Sequence, residues 1–200
     1  MQSFKDPEKR SYHHGDLRQA VIDTAMEMLN QGDDWQFTLR EVARRAGVSH
    51  AAPYKHFPDK AALLAEIALI GFDRLTGAME AAAAGPASDF SRSFMATAHA
   101  YIGFGRENPA LYRLMFSGEI GAAHLDPRAV RTLEVVVGLM ERGQAAGLVR
   151  KRSVRGQAAA CWAQVHGLTM LMLDGLLIPE KVGDNAIETA LAILGEGLDA

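Results

Sequence analysis

The sequence contains a single cysteine, Cys161, among its 200 residues. One cysteine excludes an internal disulfide and any zinc site built from several thiolates. The seven histidines show no spacing typical of metal ligands, so we expect neither a metal nor another cofactor. The apolar run at 157–178 is interrupted by Gln164, His166 and Asp174, which favours a buried helix over a membrane span.

Sequence motifs of the common catalytic and nucleotide-binding sites are also missing. There is no phosphate-binding Walker loop and no Gly-x-Ser-x-Gly nucleophile turn. Gly103 and Gly105 match two glycines of a dinucleotide fingerprint, but Asn108 stands at the third and no strand precedes them. We therefore expect a protein that is not an enzyme. Because the N-terminal segment has no apolar stretch and hence no signal peptide, we expect a cytoplasmic protein without a membrane partner.

The charge of the chain is low overall but unevenly distributed. A net charge of −3 argues against a uniformly basic surface that binds nucleic acid indiscriminately. Within residues 37–60, however, basic residues outnumber Glu41 and Asp59, while the rest of the chain is acidic on balance. The basic residues of this segment are Arg40, Arg44, Arg45, Lys55 and Lys60. This local excess is compatible with a nucleic-acid interface confined to one part of the protein.

Apolar residues recur at helical spacing through most of the chain, and no segment shows the alternation of a strand. The predicted fold class is therefore all-α. Gly-Glu-Ile-Gly at 118–121 is expected to be a loop. Helices are predicted at about 16–31, 38–46, 49–56, 59–84, 89–108, 127–146, 153–177 and 185–198.

The segment from 37 to 60 has the pattern of a helix-turn-helix. Thr38 and Glu41 have the spacing of a capping box, which satisfies free backbone N–H groups where a helix begins. Gly47 is placed to end that helix, and Ser49 is placed to cap a second short helix. Two short helices joined by a turn that contains glycine are typical of this DNA-binding motif.

This segment resembles the DNA-binding domain of the TetR family of bacterial transcriptional regulators. The resemblance covers about the first third of the chain, and Pro53 departs from it because the family more often has an aliphatic residue there. The residues that carry it are Thr38, Ala43, Ala46, Gly47, Val48, Ser49, Tyr54, His56, Phe57, Lys60, Leu63 and Leu64.

The resemblance implies an N-terminal three-helix helix-turn-helix domain at 15–60, whose linking helix continues to about residue 75. The remainder, 76–200, is expected to bind an effector and to dimerise. We expect base contacts from His50, Ala51 and Ala52. We expect phosphate contacts from Thr38, Arg40, Tyr54, Lys55, His56 and Lys60. Residues 1–14 are either a disordered tail or a flexible basic arm that reaches DNA, and both readings stay open.

Two segments of the C-terminal part, 108–116 and 161–168, are similar to TetR regulators whose effector domain carries a Trp–His–Gly signature. Aromatic and sulfur-bearing side chains concentrate in this part, where they either fill a core or line an effector pocket. The candidate pocket residues are Phe94, Tyr101, Phe104, Tyr112, Met115, Trp162, His166 and Met170. The candidate dimer-interface residues are Leu168, Leu173, Ile187, Leu191 and Leu194.

These features predict a ligand-responsive repressor. It would bind double-stranded, palindromic operator DNA as a homodimer and be released by a small, mostly apolar effector of unknown identity. The alternative is a small helical ligand carrier or enzyme whose N-terminal unit is non-functional. Sequence-specific retardation of DNA in a gel discriminates between these two hypotheses.

Overall fold

The structure, a computed structural model, describes residues 17–32 and 34–199. Within these residues the chain is nearly all helical, and the only β pairing is an isolated bridge between Val149 and Asp199. The predicted all-α fold class is thus confirmed. The arm predicted at 1–14 lies outside the described residues. The chain divides into two compact units, the first ending at Leu63 and the second beginning at Leu64.

In the first unit, α1 (Leu17–Gly32) packs against α2 (Leu39–Arg45). The predicted capping box of α2 is present, because the Thr38 hydroxyl accepts from the backbone N–H of Glu41 while the Glu41 carboxylate accepts from the backbone N–H of Thr38. Gly47 follows α2 with φ of 70°, a left-handed conformation that glycine adopts without steric cost. The first half of the predicted helix-turn-helix is therefore formed as expected.

The second helix of the motif, predicted to start at Ser49, is not an α-helix, and this prediction was wrong. The chain instead forms a turn in which the Ala52 N–H donates to the Ser49 carbonyl at 2.9 Å, followed by a 3₁₀ helix at Pro53–Lys55. Pro53 explains the difference, because it has no N–H to donate to the carbonyl four residues earlier. It suits the first position of a new helical turn, where no such bond is needed.

The second unit is a bundle of helices, and its first residue, Leu64, lies near the start of a helix that begins in the first unit. The long helix α3 (Lys60–Ala83) starts with the Asp59 carboxylate accepting from the Ala62 N–H at 2.8 Å and extends into the second unit. The helices that follow are α4 (Phe90–Glu107), α5 (Pro109–Met115), α6 (Pro127–Ala145), α7 (Val154–Leu173), α8 (Pro179–Val182) and α9 (Ala186–Leu198).

Three segments of the second unit differ from the sequence prediction. The first is α5 (Pro109–Met115), because no helix was predicted between 108 and 127. Residues 118–121, predicted to be a loop, belong to a kinked 3₁₀ segment at Gly118–Leu125, in which Gly121 has φ of 51°. The short helix α8 was not predicted, because four residues give no periodic pattern. Elsewhere helices start as expected: Asp126 caps α6 and Ser153 caps α7 through hydrogen bonds from their side chains.

Helix α7 packs against α4 and α6, and α9 packs against α4 and α7. The Gln164 side chain of α7 donates to the Ala190 carbonyl of α9 at 2.5 Å, which fixes the two helices in register. Gly105 of α4 permits a close approach of its neighbours, since a β-carbon there would clash with the Thr169 methyl group and lie 3.3 Å from Tyr112 Cδ2. Gly103, on the same helix, has no atom within 4 Å of a β-carbon at that site.

These two glycines give a matched test of the packing. Gly105→Ala should destabilise the protein by about 1–3 kcal/mol, because the added methyl group must displace α5 and α7 side chains. Gly103→Ala should stabilise it by roughly 0.5–1 kcal/mol, because it restricts only the unfolded chain. Urea unfolding followed by far-UV circular dichroism measures both, and equal midpoints for the two variants would contradict this packing.

Candidate nucleic-acid interface and ligand cavity

The residues predicted to contact bases do not share one environment. His50 and Ala51 are exposed in the turn after Ser49, whereas Ala52 is only 8% exposed. Ala52 directly precedes the buried residue Pro53, at the start of the 3₁₀ helix. We therefore remove Ala52 from the base-contact candidates and retain His50 and Ala51.

Most residues predicted to contact phosphate have accessible side chains. Arg40 is exposed on α2, and Tyr54, Lys55 and His56 are exposed in and just after the 3₁₀ helix. Lys60 is half-buried, and its ammonium lies 5.6 Å from the centre of the Phe37 ring. That position permits a cation–π interaction, so part of the Lys60 side chain already serves the packing of the first unit.

Thr38 has a structural role that competes with a phosphate contact. Its hydroxyl donates to the Glu41 carboxylate at 2.8 Å, and its backbone N–H donates to the same oxygen at 2.6 Å. Hydrogen bonds from the Thr38 backbone and side chain hold the pKa of Glu41 below its usual value, so this carboxylate stays ionised. The Thr38 hydroxyl must therefore leave Glu41 before it can donate to a phosphate.

The second unit contains a cavity of about 490 Å³. This volume is typical of a site for a small organic molecule. Four helices and the segment after α5 provide a mostly apolar lining. The lining residues are Phe72 and Met79 of α3; Phe94, Thr97, Ala98 and Tyr101 of α4; Phe116 and His124 of the segment between α5 and α6; Ala129, Val130, Thr132, Leu133, Val136 and Leu139 of α6; and Cys161, Trp162, Val165 and His166 of α7.

Half of the predicted pocket residues line this cavity. They are Phe94, Tyr101, Trp162 and His166. The prediction is corrected for the other four, which do not line it: Phe104, Tyr112, Met115 and Met170. Tyr112 and Met115 are fully buried in the packed interior beside the cavity, and Phe104 is buried as well.

The wall formed by α6 was missed altogether. Val130 and Leu133 recur at helical spacing in the sequence, a pattern that is equally typical of a helix that packs in a core. Phe72 and Met79 of α3 were missed for the same reason. Only the packing of the helices leaves a space beside these side chains rather than filling it.

One hydrogen-bonded cluster joins three helices at the cavity. The Tyr112 hydroxyl of α5 lies 2.7 Å from Nδ1 of His166 on α7, and it donates to the Tyr101 hydroxyl of α4 at 3.1 Å. Tyr101 lies 3.3 Å from the same imidazole nitrogen. We call these three residues the Tyr–Tyr–His cluster. Two of its members, Tyr101 and His166, line the mostly apolar cavity.

Burial keeps the ionisable groups of this region neutral. It raises the pKa of Tyr101 to about 12 and also raises the pKa of Tyr112, so both hydroxyls keep their protons. Burial lowers the pKa of His166, which disfavours the imidazolium form at neutral pH. The pKa of the Cys161 thiol rises to about 11 for the same reason, so this residue is a weak nucleophile.

The chain matches two descriptions of known protein families. Residues 21–67 match "Bacterial regulatory proteins, tetR family", and residues 94–194 match "Tetracyclin repressor-like, C-terminal domain". The second match alone spans half of the chain. The protein belongs to the TetR family. In this TetR protein, the segment of the first match includes α2 and the 3₁₀ helix. The segment of the second match includes most of the residues that line the cavity.

Solved structures share the fold of this chain. A protein of unknown function from Rhodococcus sp. RHA1 is 31% identical, with a TM-score of 0.79 over 96% of this chain and 100% of that one. A putative tetR family transcription regulator from Shewanella sp. PV-4 is 22% identical, with a TM-score of 0.69 over 92% of this chain and 98% of that one. A TetR family transcription regulator from Marinobacter aquaeolei VT8 is 18% identical, with a TM-score of 0.67 over 92% of this chain and 96% of that one. Among curated proteins, none matches the chain significantly.

TetR membership establishes the general class of function, DNA-binding regulation of transcription. In the part of the chain that the structure describes, no three His, Cys, Asp or Glu side chains are grouped to hold a metal ion. No helix among the same residues is long and apolar enough to cross a membrane.

The predicted dimer-interface residues fall into two groups. Leu191 is 0% exposed and Leu168 is also buried, so both pack inside the single chain and are removed from the candidates. Leu173, Ile187 and Leu194 are partly exposed. Other apolar side chains that the sequence did not single out are more accessible, among them Ile193 of α9, Leu171 of α7, and Leu176, Ile178 and Val182 around α8.

Proposed function

We propose that this TetR-family protein is a ligand-responsive repressor that acts by binding rather than by catalysis. It binds a palindromic operator in the cytoplasm as a homodimer, and a small, mostly apolar effector releases it from the DNA. The observation that carries the proposal is the cavity of about 490 Å³ in the second unit of a chain whose first unit matches a DNA-binding family.

Operator binding is proposed to depend on the exposed residues of the turn and the 3₁₀ helix. His50 and Ala51 are accessible and small or polar enough to approach base edges in the major groove. Tyr54, Lys55 and His56 follow them directly with donors suited to phosphate oxygens. Arg40 of α2 adds a further positive charge. Base contacts specify the sequence, while phosphate contacts position the protein on it.

A homodimer is proposed because one small helix-turn-helix unit buries too little surface for a tight and specific site. Two copies related by a two-fold axis read two half-sites, which makes the operator palindromic. We assign the dimer interface to the surface formed by α7 and α9, because both helices carry exposed apolar side chains. Ile193 is the most exposed of these. Leu173, Ile187 and Leu194 are retained as partly exposed members.

The effector response is proposed to follow population shift. A ligand that binds better to a dimer whose turns no longer match the operator spacing lowers operator affinity by that difference. The helix α3 begins with Lys60 in the DNA-binding unit and later contributes Phe72 and Met79 to the cavity lining. The proposed membership in the Trp–His–Gly subtype rests on Trp162, His166 and Gly167, of which the first two line the cavity.

The operator contacts are tested by fluorescence anisotropy with labelled DNA from the region flanking the protein's own gene. Lys55→Ala should weaken binding to all sequences and make the plot of log affinity against log salt shallower by about one unit per half-site. Lys181→Ala, an exposed lysine on α8, is the matched control and should leave the slope unchanged. An unaltered slope for Lys55→Ala removes that contact, and no sequence-specific binding at low salt favours the ligand-carrier function instead.

The dimer surface is tested by placing charge at Ile193, which is 63% exposed in the single chain. Ile193→Asp should leave the subunit folded but bury an unpaired carboxylate between subunits, which costs several kcal/mol. Sedimentation velocity should then show monomers where the unmodified protein is dimeric. Leu125→Asp is the control, because Leu125 is 82% exposed on the 3₁₀ segment before α6. Dimers that persist in Ile193→Asp would move the interface away from α9.

A further inference from the structure

The polar groups around the cavity are nearly all bonded to the protein itself. The Thr97 hydroxyl donates to the Ser93 carbonyl at 2.7 Å, and the Thr132 hydroxyl pairs with Thr76 at 2.7 Å. Nε2 of His124 is bonded to the Met115 carbonyl at 3.1 Å. These groups offer little to a ligand, because a new hydrogen bond would have to replace an existing one.

The lining also lacks fixed charge. No Asp, Glu, Lys or Arg is among the described residues that line the cavity. His166 is the one lining residue of the Tyr–Tyr–His cluster that can become cationic, and burial disfavours that form by lowering its pKa. A carboxylate or ammonium group on a ligand would therefore lose its hydration without gaining a partner of opposite charge.

The protons of the Tyr–Tyr–His cluster can be assigned from its geometry. Tyr112 has one hydroxyl proton, and it is donated to the Tyr101 oxygen. The contact of 2.7 Å between the Tyr112 oxygen and Nδ1 of His166 then requires the proton on Nδ1, which donates to Tyr112. Nδ1 cannot in that state accept from Tyr101. The hydroxyl proton of Tyr101 is consequently left without an acceptor inside the cluster.

We propose that the effector is an uncharged, largely apolar molecule with one oxygen acceptor, which accepts the hydrogen bond of the Tyr101 hydroxyl. That this ligand acts as an effector rests on the proposed function, but the binding preference itself is independent of DNA. Ketones, esters, lactones and alcohols share this chemistry. The elevated pKa of Tyr101, about 12, is consistent with a hydroxyl that remains a donor throughout the physiological range.

The preference is tested with three ligands of nearly identical shape. Methyl nonyl ketone carries the neutral acceptor, its methylidene analogue replaces the carbonyl oxygen by a CH₂ group, and decanoate replaces the methyl group by a charged oxygen. Binding is followed at pH 8 without DNA by the fluorescence of Trp162, which lines the cavity. Trp35→Phe removes the other tryptophan from the signal.

The ketone should bind about threefold to tenfold more tightly than the hydrocarbon, as expected for one net hydrogen bond. Decanoate should bind at least about tenfold more weakly than the ketone, because its charge has no partner. In Tyr101→Phe the advantage of the ketone should disappear while the hydrocarbon affinity is kept, which shows that the cavity is still formed.

Equal affinities of ketone and hydrocarbon, a preference for decanoate, or a ketone advantage that survives in Tyr101→Phe would each overturn the inference. Absence of saturable binding by all three ligands would overturn it as well. If Tyr101→Phe does not fold, the ranking of the three ligands in the protein with Tyr101 still decides. Failure here leaves the operator-binding test untouched, so the two proposals are distinguished.

Discussion

The second unit depends on the hydrogen bonds among Tyr101, Tyr112 and His166. They join α4, α5 and α7 at the edge of the cavity, and the His166 ring also packs edge-on against Phe116 at a centroid distance of 4.6 Å. A buried hydroxyl that lost its partner would cost about 1–3 kcal/mol. The cluster thus holds three helices in a fixed relation while the space beside them stays open. Its members Tyr101 and His166 also place polar groups in a mostly apolar cavity lining.

The opposite wall, formed by α3 and α6, is held in a different way. Arg128 donates to Asp73 at 2.8 Å and Arg131 donates to Glu80 at 2.8 Å, but these ion pairs are largely exposed. Pairs of this kind typically contribute only about 0–1 kcal/mol each. The buried bond between Thr76 and Thr132 is the polar contact of this wall that water does not weaken.

The sequence predicted what local interactions decide and missed what packing decides. The capping box of Thr38 and Glu41 and the apolar periodicity of the long helices are local, and they predicted most helix boundaries. The prediction of an α-helix after Ser49 was wrong because Pro53 removes a backbone donor, and a 3₁₀ helix forms instead. The side chains that line the cavity depend on how helices rotate against each other. Leu191 and Ile193, two residues apart on α9, show this: one is fully buried and the other is 63% exposed.

The central claim is that the cavity and the operator-binding surface are coupled. Calorimetry of methyl nonyl ketone with the free protein and with the operator-bound protein tests it most directly. The account predicts that bound operator weakens ligand affinity, by about 5–150-fold if the coupling is of typical size. Linkage requires the ligand to weaken operator affinity by the same factor. Equal ligand affinity in the two states would contradict the claim, because a ligand that does not distinguish them cannot shift the protein off DNA.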